Sequence, residues 1–273
     1  MMSAPTLCGA PLRLELIPAF LAATARAFVV ALAFLCALAP LPAAAGEYAV
    51  SPMRIHLDRE AKSAAVTLTN SGNDAMTFQI AAMEWTQDAD GRDHYEPTTE
   101  VVFFPKILTL PPGESRVVRV GVQAIPVSIE RTFRLFIEPL PAPAKEPAAP
   151  GAQISINFRF ALPIFVAPPA RTAAGEIDDA AIRKAVLSLK VRNTGSAHLR
   201  MDDGVTVTGR DAQGNDIFTE RIDSRYVLAG MAKPLTLPLP QGTCGRLATV
   251  EVTARAEQLT LRRKLDVDRT SCE

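Results

Sequence analysis

Ten residues in the middle of the chain, Gln153 to Leu162, alternate polar and apolar side chains almost strictly. Ile154, Ile156, Phe158, Phe160 and Leu162 fall on one face; Ser155, Asn157, Arg159 and Ala161 fall on the other. A period of two over this length segregates the two sets only in a β-strand. The run continues to Val166 and stops at Ala167-Pro168-Pro169, and a Pro/Ala-rich stretch, EPLPAPAKEPAAPG, leads into it. The sequence thus predicts one long strand, Gln153 to Val166, with large side chains on one face. That face must be covered either by the protein's own core or by a partner.

The remaining sequence is built the same way. Short runs rich in Val, Ile, Leu and Thr are divided by Gly, Pro, Asn and Asp, an all-β pattern. Only Asp178 to Lys190 carries a weak helical periodicity. The 273 residues suffice for one or two domains. With 29 basic and 29 acidic residues, nucleic-acid binding has no electrostatic support.

The first 45 residues read as a cleaved signal peptide. Arg13 and Arg26 precede an uncharged stretch containing AFVVALAFLCALAPL, and Ala43-Ala44-Ala45 closes it. The rival is a membrane anchor, since twenty uncharged residues just span a bilayer; Pro40, Pro42 and the small-residue ending favour cleavage. Neither Cys8 nor Cys36 follows a lipobox. Cleavage removes two basic residues and one acidic one, leaving 27 basic and 28 acidic, a net charge of −1 and no membrane span. The mature chain then keeps Cys244 and Cys272, which in an exported protein read as a disulfide.

Taken in order, Glu47 to Leu57 is a strand broken by Pro52, which implies an edge position or a switch between sheets. Ala64 to Thr69 ends in the turn Asn70-Ser-Gly-Asn73, and Thr77 to Trp85 follows, with the lone tryptophan expected in the core. Asp88-Ala-Asp-Gly91 places glycine two positions too early for an EF-hand loop and fits a hairpin turn. Val101 to Phe104, Ile107 to Leu110, Ser115 to Val122 and Thr132 to Glu138 complete a first group, with Phe133, Leu135 and Ile137 inward. Seven or more strands with turns every 8–12 residues make an immunoglobulin-like sandwich. The boundaries expected are residues 46–168 for this domain and 169–273 for a second β-sandwich carrying the cysteines. The stretch Ala167 to Gly175 is linker-like. One echo joins the halves: AVTLTNSGN and LSLKVRNTGS both run a strand into Asn-x-Gly.

The ordered set VSPMRI, TLTNSGN, FPKILTLPPGESRVVRV, TFRLFIEPLP, an alternating strand ending LPIFVAP and a late cysteine pair resembles the periplasmic pilus-assembly chaperones. The long Pro/Ala loop, LPIFV and NTGSAH/YVLAG are more similar to the branch that assembles archaic or spore-coat-U-type pili. The resemblance covers residues 47–273 and implies two tandem immunoglobulin-like sandwiches. It also implies pilin subunits and an outer-membrane usher as partners, a periplasmic location, no cofactor and no catalysis. The strand before the linker would donate Ile154, Ile156, Phe158, Phe160 and Leu162 to a pilin lacking its last strand, an established mode of strand addition. A free chaperone could hide that face by self-association.

A basic pair in the interdomain cleft would hold the subunit's terminal carboxylate. Arg54 matches the family arginine; the family's second cation, a lysine, falls near Pro163, where this chain has none. Arg159, on the same face four residues earlier, is the expected substitute, with Lys106 a further candidate. The alternative is an exported two-domain adhesion or binding module whose Gln153–Leu162 face is sealed in its own core. An enzyme finds no support in the scattered His56, His94 and His198 or in any nucleophile or phosphate motif. A pilus subunit fits poorly, since two complete domains leave no strand missing.

Overall fold

The computed structural model describes residues 48–126, 128–141, 158–257 and 259–272. The segment expected as a signal peptide and the side chains of Ile154 and Ile156 lie outside them. The described chain is all-β, with nineteen strands and two 3-10 turns.

Ten strands build the first sandwich: β1 (Tyr48–Ser51), β2 (Ile55–Leu57), β3 (Ser63–Asn70), β4 (Met76–Gln87), β5 (Asp93–Pro97), β6 (Val101–Phe104), β7 (Ile107–Leu110), β8 (Ser115–Val122), β9 (Arg131–Pro139) and β10 (Phe160–Val166). One sheet has the order β1-β3-β8-β6; the other runs β2-β10-β9-β4-β5, with β7 also on β4. Pro52 separates β1, paired with β3, from β2, paired with β10 in the opposite sheet. This is the switch its position in the sequence implies, because proline supplies no N–H for an unbroken ladder. Between the sheets lie Val50, Ile55, Leu57, Phe78, Ile80, Phe133, Leu135 and Ile137, all buried. Asp88 to Gly91 is the hairpin turn expected: Gly91 donates to the Asp88 carbonyl with φ of 72°, a conformation only glycine adopts freely.

The second sandwich holds β11 (Gly175–Arg183), β12 (Val186–Asn193), β13 (Leu199–Arg200), β14 (Val205–Arg210), β15 (Asp216–Ile222), β16 (Tyr226–Val227), β17 (Ala232–Pro238), β18 (Thr249–Ala256) and β19 (Leu259–Asp266). Its sheets are β11-β12-β17, the short pair β13-β16, and β15-β14-β18-β19. The weak helical periodicity of Asp178 to Lys190 is overridden. That segment forms the β11–β12 hairpin, turning through Lys184 and Ala185, both at positive φ. Side chains of β12 alternate buried and half-buried along its length, so packing rather than local propensity decides. The Cys244–Cys272 disulfide ties a loop of 28 residues to the end of this sandwich.

The Asn-x-Gly echo is structural. Asn70 donates from Nδ2 to the carbonyls of Asp74 and Leu110, and its Oδ1 accepts from Gly72. Asn193 repeats the arrangement with the carbonyls of Ala197 and Val227 and the N–H of Gly195. Both asparagines are buried, so each side chain replaces water for three backbone groups in a tight turn.

Trp85 is buried, yet in neither sandwich core. It joins Phe165, Tyr226 and Leu228 in a cluster between the two sandwiches. Buried polar contacts flank this cluster. The Gln87 amide donates to the Tyr226 carbonyl and accepts from the Leu228 N–H, a two-point clamp on the second sandwich. Glu130 accepts from the backbone N–H of His198 at 3.0 Å and meets its Nδ1 at 2.7 Å, and the His198 ring stacks on Phe165. Buried groups satisfied in this way fix the angle between the sandwiches, because breaking either pair strands a desolvated polar group.

Candidate functional site

Strand β10 has two unlike halves. Antiparallel β9 pairs with all of it, from Phe160 opposite Ile137 to Val166 opposite Arg131. Parallel β2 pairs only with Ile164 to Val166. From Phe160 to Pro163, β10 therefore has no strand on its second edge among the described residues. Such an edge presents unsatisfied N–H and C=O groups in a row, and here the side chains along it are Phe, Ala, Leu and Pro.

The even-numbered side chains of β10 point into the sandwich. Leu162, Ile164 and Val166 are fully buried there, and Phe160 packs against the same core from a partly exposed position. Leu162 was expected on a face available to a partner; the structure places it at 0% exposure in the protein's own core. The strand expected from Gln153 begins at Phe160 among the described residues, and alternation does not tell where the sandwich ends. That limit falls near Phe160. Phe158, two residues earlier on the same parity, is 61% exposed. Tyr48 marks the boundary: its ring meets Phe78 and Phe160 edge-on, and its hydroxyl donates to the Phe158 carbonyl. Burial raises the Tyr48 pKa, with the backbone hydrogen bond opposing.

Odd-numbered side chains face the second sandwich. Phe165 enters the interdomain cluster, while Pro163 and Ala161 line a cleft of about 400 Å³. Arg54, Arg134, Arg225 and Lys233 also line it, with Asp93 as the one carboxylate. No carboxylate among the described residues lies within ion-pair distance of any of the four cations. Asp93 is instead held by the Gln87 amide and the Tyr95 hydroxyl, and burial followed by Asp93 raises the Tyr95 pKa.

The sheet explains how these groups converge. Ile164 is level with Ile55, so Arg54, one residue earlier, comes level with Pro163 where β2 leaves the strand. Pro163 is directly opposite Arg134 on β9. Level residues on adjacent strands share a face. Arg54 and Arg134 thus flank Pro163 from the two sides, roughly 10 Å apart at the backbone, two strand spacings. The sequence gives no hint of Arg134, because its contribution depends on which strand pairs beside Pro163 and in what register. It lies in TFRLFIE as the polar partner of an alternating strand.

Arg159 is placed elsewhere. Its guanidinium lies over the Phe136 ring, 4.5 Å from the centroid, with Glu138 at 3.9 Å, and it does not line the cleft. Four residues of extended chain separate it from Pro163 by about 13 Å, so a shared face does not bring it to a shared site. Lys106 is not among the cleft residues either. Among the described residues no helix is long and apolar enough to cross a membrane, and no cluster of three metal-ligating side chains is present.

Residues 48–171 match the pili and flagellar-assembly chaperone family, PapD N-terminal domain. Solved structures share the fold. The chaperone–tip adhesin complex of the archaic Csu pili of Acinetobacter baumannii aligns with a TM-score of 0.55 at 15% identity, over 80% of this chain and 98% of that one. The YadV chaperone gives 0.53 at 14%, over 81% and 100%. The SafB chaperone with the SafA pilin of Salmonella enterica gives 0.52 at 16%, over 80% and 96%. No curated protein matches the chain by sequence.

Proposed function

We propose that the protein is a periplasmic chaperone that captures pilus subunits by strand addition to β10 and hands them to an outer-membrane usher. The observation that carries this reading is the half-bare edge of β10, apolar and running straight into a cleft lined by four cations that have no carboxylate partner among the described residues. An added strand can pair only as far as Pro163, since β2 occupies the edge beyond. If it runs parallel to β10, its last residue arrives beside Arg54. Excess positive charge favours a carboxylate terminus there over an ammonium one, which selects the parallel direction. Phe158, and on sequence grounds Ile154 and Ile156 on the same parity, would fill the apolar groove of the subunit. Each such side chain contributes about 1.5–3 kcal/mol before ordering costs.

The matched family and the chaperone–subunit complexes among the structural neighbours support the same reading. Phe158→Asp tests it. The variant should melt within about 2 °C of the native protein, because exposed sites contribute little to stability. It should nonetheless fail to protect a co-encoded pilin from degradation in the periplasm. Undiminished pilin accumulation would remove the donor role.

A further inference from the structure

We propose that two copies of the chain associate edge to edge through β6, antiparallel about a two-fold axis at Phe103, with Val102 of each copy opposite Phe104 of the other. The inference goes beyond capture at β10 and does not rest on it. Three observations carry it. The first is an open apolar edge. Strand β6 ends the sheet β1-β3-β8-β6, so among the described residues one of its edges has no partner strand. Its four residues, Val-Val-Phe-Phe, carry no charge. The edge strands β5, β11, β15 and β19 all carry charged side chains, which deter pairing with other chains.

The second is the division between the two faces of β6. Val101 and Phe103 turn into the first sandwich and pack in its core. Val102 and Phe104 turn outward, and Phe104, at 77% exposure, is the most exposed large apolar side chain among the described residues. They lie beside Gly121 and Arg119 of β8, with the exposed Val117 diagonal to Phe104.

The third is self-complementarity. Facing residues of an antiparallel pair share one hydrogen-bonding role, so a two-fold pair of β6 strands must be centred on a residue and not between two. Centred on Val102, the register sets Phe104 against Glu100 of the second copy. Centred on Phe104, it leaves only Phe104 facing a residue of β6. Centred on Phe103, it sets Val102 against Phe104 twice and brings the two Phe104 rings to diagonal positions, about 7–8 Å apart at the backbone and within aromatic reach. That register also brings Lys106, exposed just beyond the strand, toward Glu100 of the second copy, and symmetry repeats the attraction at the other end. Glu100 already meets Arg131 at 2.8 Å, so the contact extends an ion pair. The β6 edge is at the far end of its sheet from β1, which continues through Pro52 into β2 beside β10. The dimer therefore leaves the bare half of β10 uncovered, and a two-fold assembly presents two such edges. With so few residues a side, the contact belongs to the weak, exchanging class of interface.

Sedimentation of the mature protein tests this. The native chain should pass from monomer toward dimer as its concentration rises through about 100 µM. Val102→Glu and Phe104→Lys, both at exposed positions, should each raise the dimer dissociation constant at least tenfold with melting temperatures unchanged. The double variant Val102→Glu, Phe104→Lys sets opposite charges face to face twice in the proposed register, and it should associate at least tenfold more tightly than either single variant. Phe158→Asp should leave the dimer intact. A native chain still monomeric at about 1 mM overturns the proposal, as do single variants that associate like the native chain. A double variant no tighter than the single ones overturns the register and the proposal with it. If Phe158→Asp abolishes the dimer, association runs through β10 and β6 drops out.

Discussion

The two sandwiches end in strands that solve the same problem differently. Among the described residues, both β10 and β19 leave an edge without a partner strand. Strand β19 is the last of its sheet, paired with β18 from Leu259 to Asp266, and carries Arg262, Arg263 and Lys264 in succession, all exposed. Charges along an edge deter pairing with other chains. A disulfide also fastens the chain just beyond β19. The bare half of β10 carries Phe160, Ala161, Leu162 and Pro163 and no charge. A fold that lines one edge with three cations and leaves another apolar treats the two edges differently, as the capture proposed for β10 requires. Proline at position 163 restricts that capture, since it offers no N–H to a new strand.

The comparison breaks most visibly at Leu162. It lies on the nominal donor face yet at 0% exposure, so an aspartate there would be buried without a partner. Leu162→Asp should destabilise the first sandwich by about 4 kcal/mol or more, read as loss of the cooperative urea transition of that unit. The contrast with Phe158→Asp, four residues earlier on the same parity, locates the end of the core. Equal effects from the two would mean that the exposed and buried segments are one continuous core, the arrangement of an adhesion module.

Next in size is the disulfide. Replacing Cys244 and Cys272 with serine frees the end of the second sandwich. In the chain-entropy view a loop of 28 residues stabilises by about 3.6 kcal/mol. The urea midpoint of the second sandwich should fall accordingly, while capture by β10 persists at temperatures where the variant is folded. Loss of capture in the folded variant would show that the pinned end and the open edge are coupled through the interdomain cluster.

Much of this was legible because alternation and turn chemistry are local. Phe133, Leu135 and Ile137 inward, the sheet switch at Pro52, the Asp88–Gly91 hairpin and the cysteine pair each follow from a few neighbouring residues. The Asn70 and Asn193 turns were visible as a repeated string, although not the shared carbonyl contacts that make them equivalent. What escaped was what depends on register and on the second sandwich. Trp85 reads as core from its hydrophobicity, but only the packing of Phe165 and Tyr226 shows that its core lies between domains. Arg159 shares a face with Pro163 in the sequence, whereas Arg134 shares a level with it in the sheet. Only the latter puts a side chain at the same place, and strand alternation carries no information about level.

The smallest effect sharpens the comparison from the other side. Replacing Arg262, Arg263 and Lys264 by threonine keeps strand propensity while removing the protection of the β19 edge. The side chains are exposed, and among the described residues their ion pairing is Arg262 with Glu251 at 3.7 Å, so stability should change by no more than about 0.5 kcal/mol per site. Association is the sensitive readout. Sedimentation at matched concentrations should show a larger dimer fraction in the triple variant than in the native chain, and that excess should persist when Phe158→Asp is added, because the new contact forms at β19. If the excess is absent, the charges are not what keeps β19 unpaired. If Phe158→Asp removes it, the added association runs through β10, and the two edges are not independent.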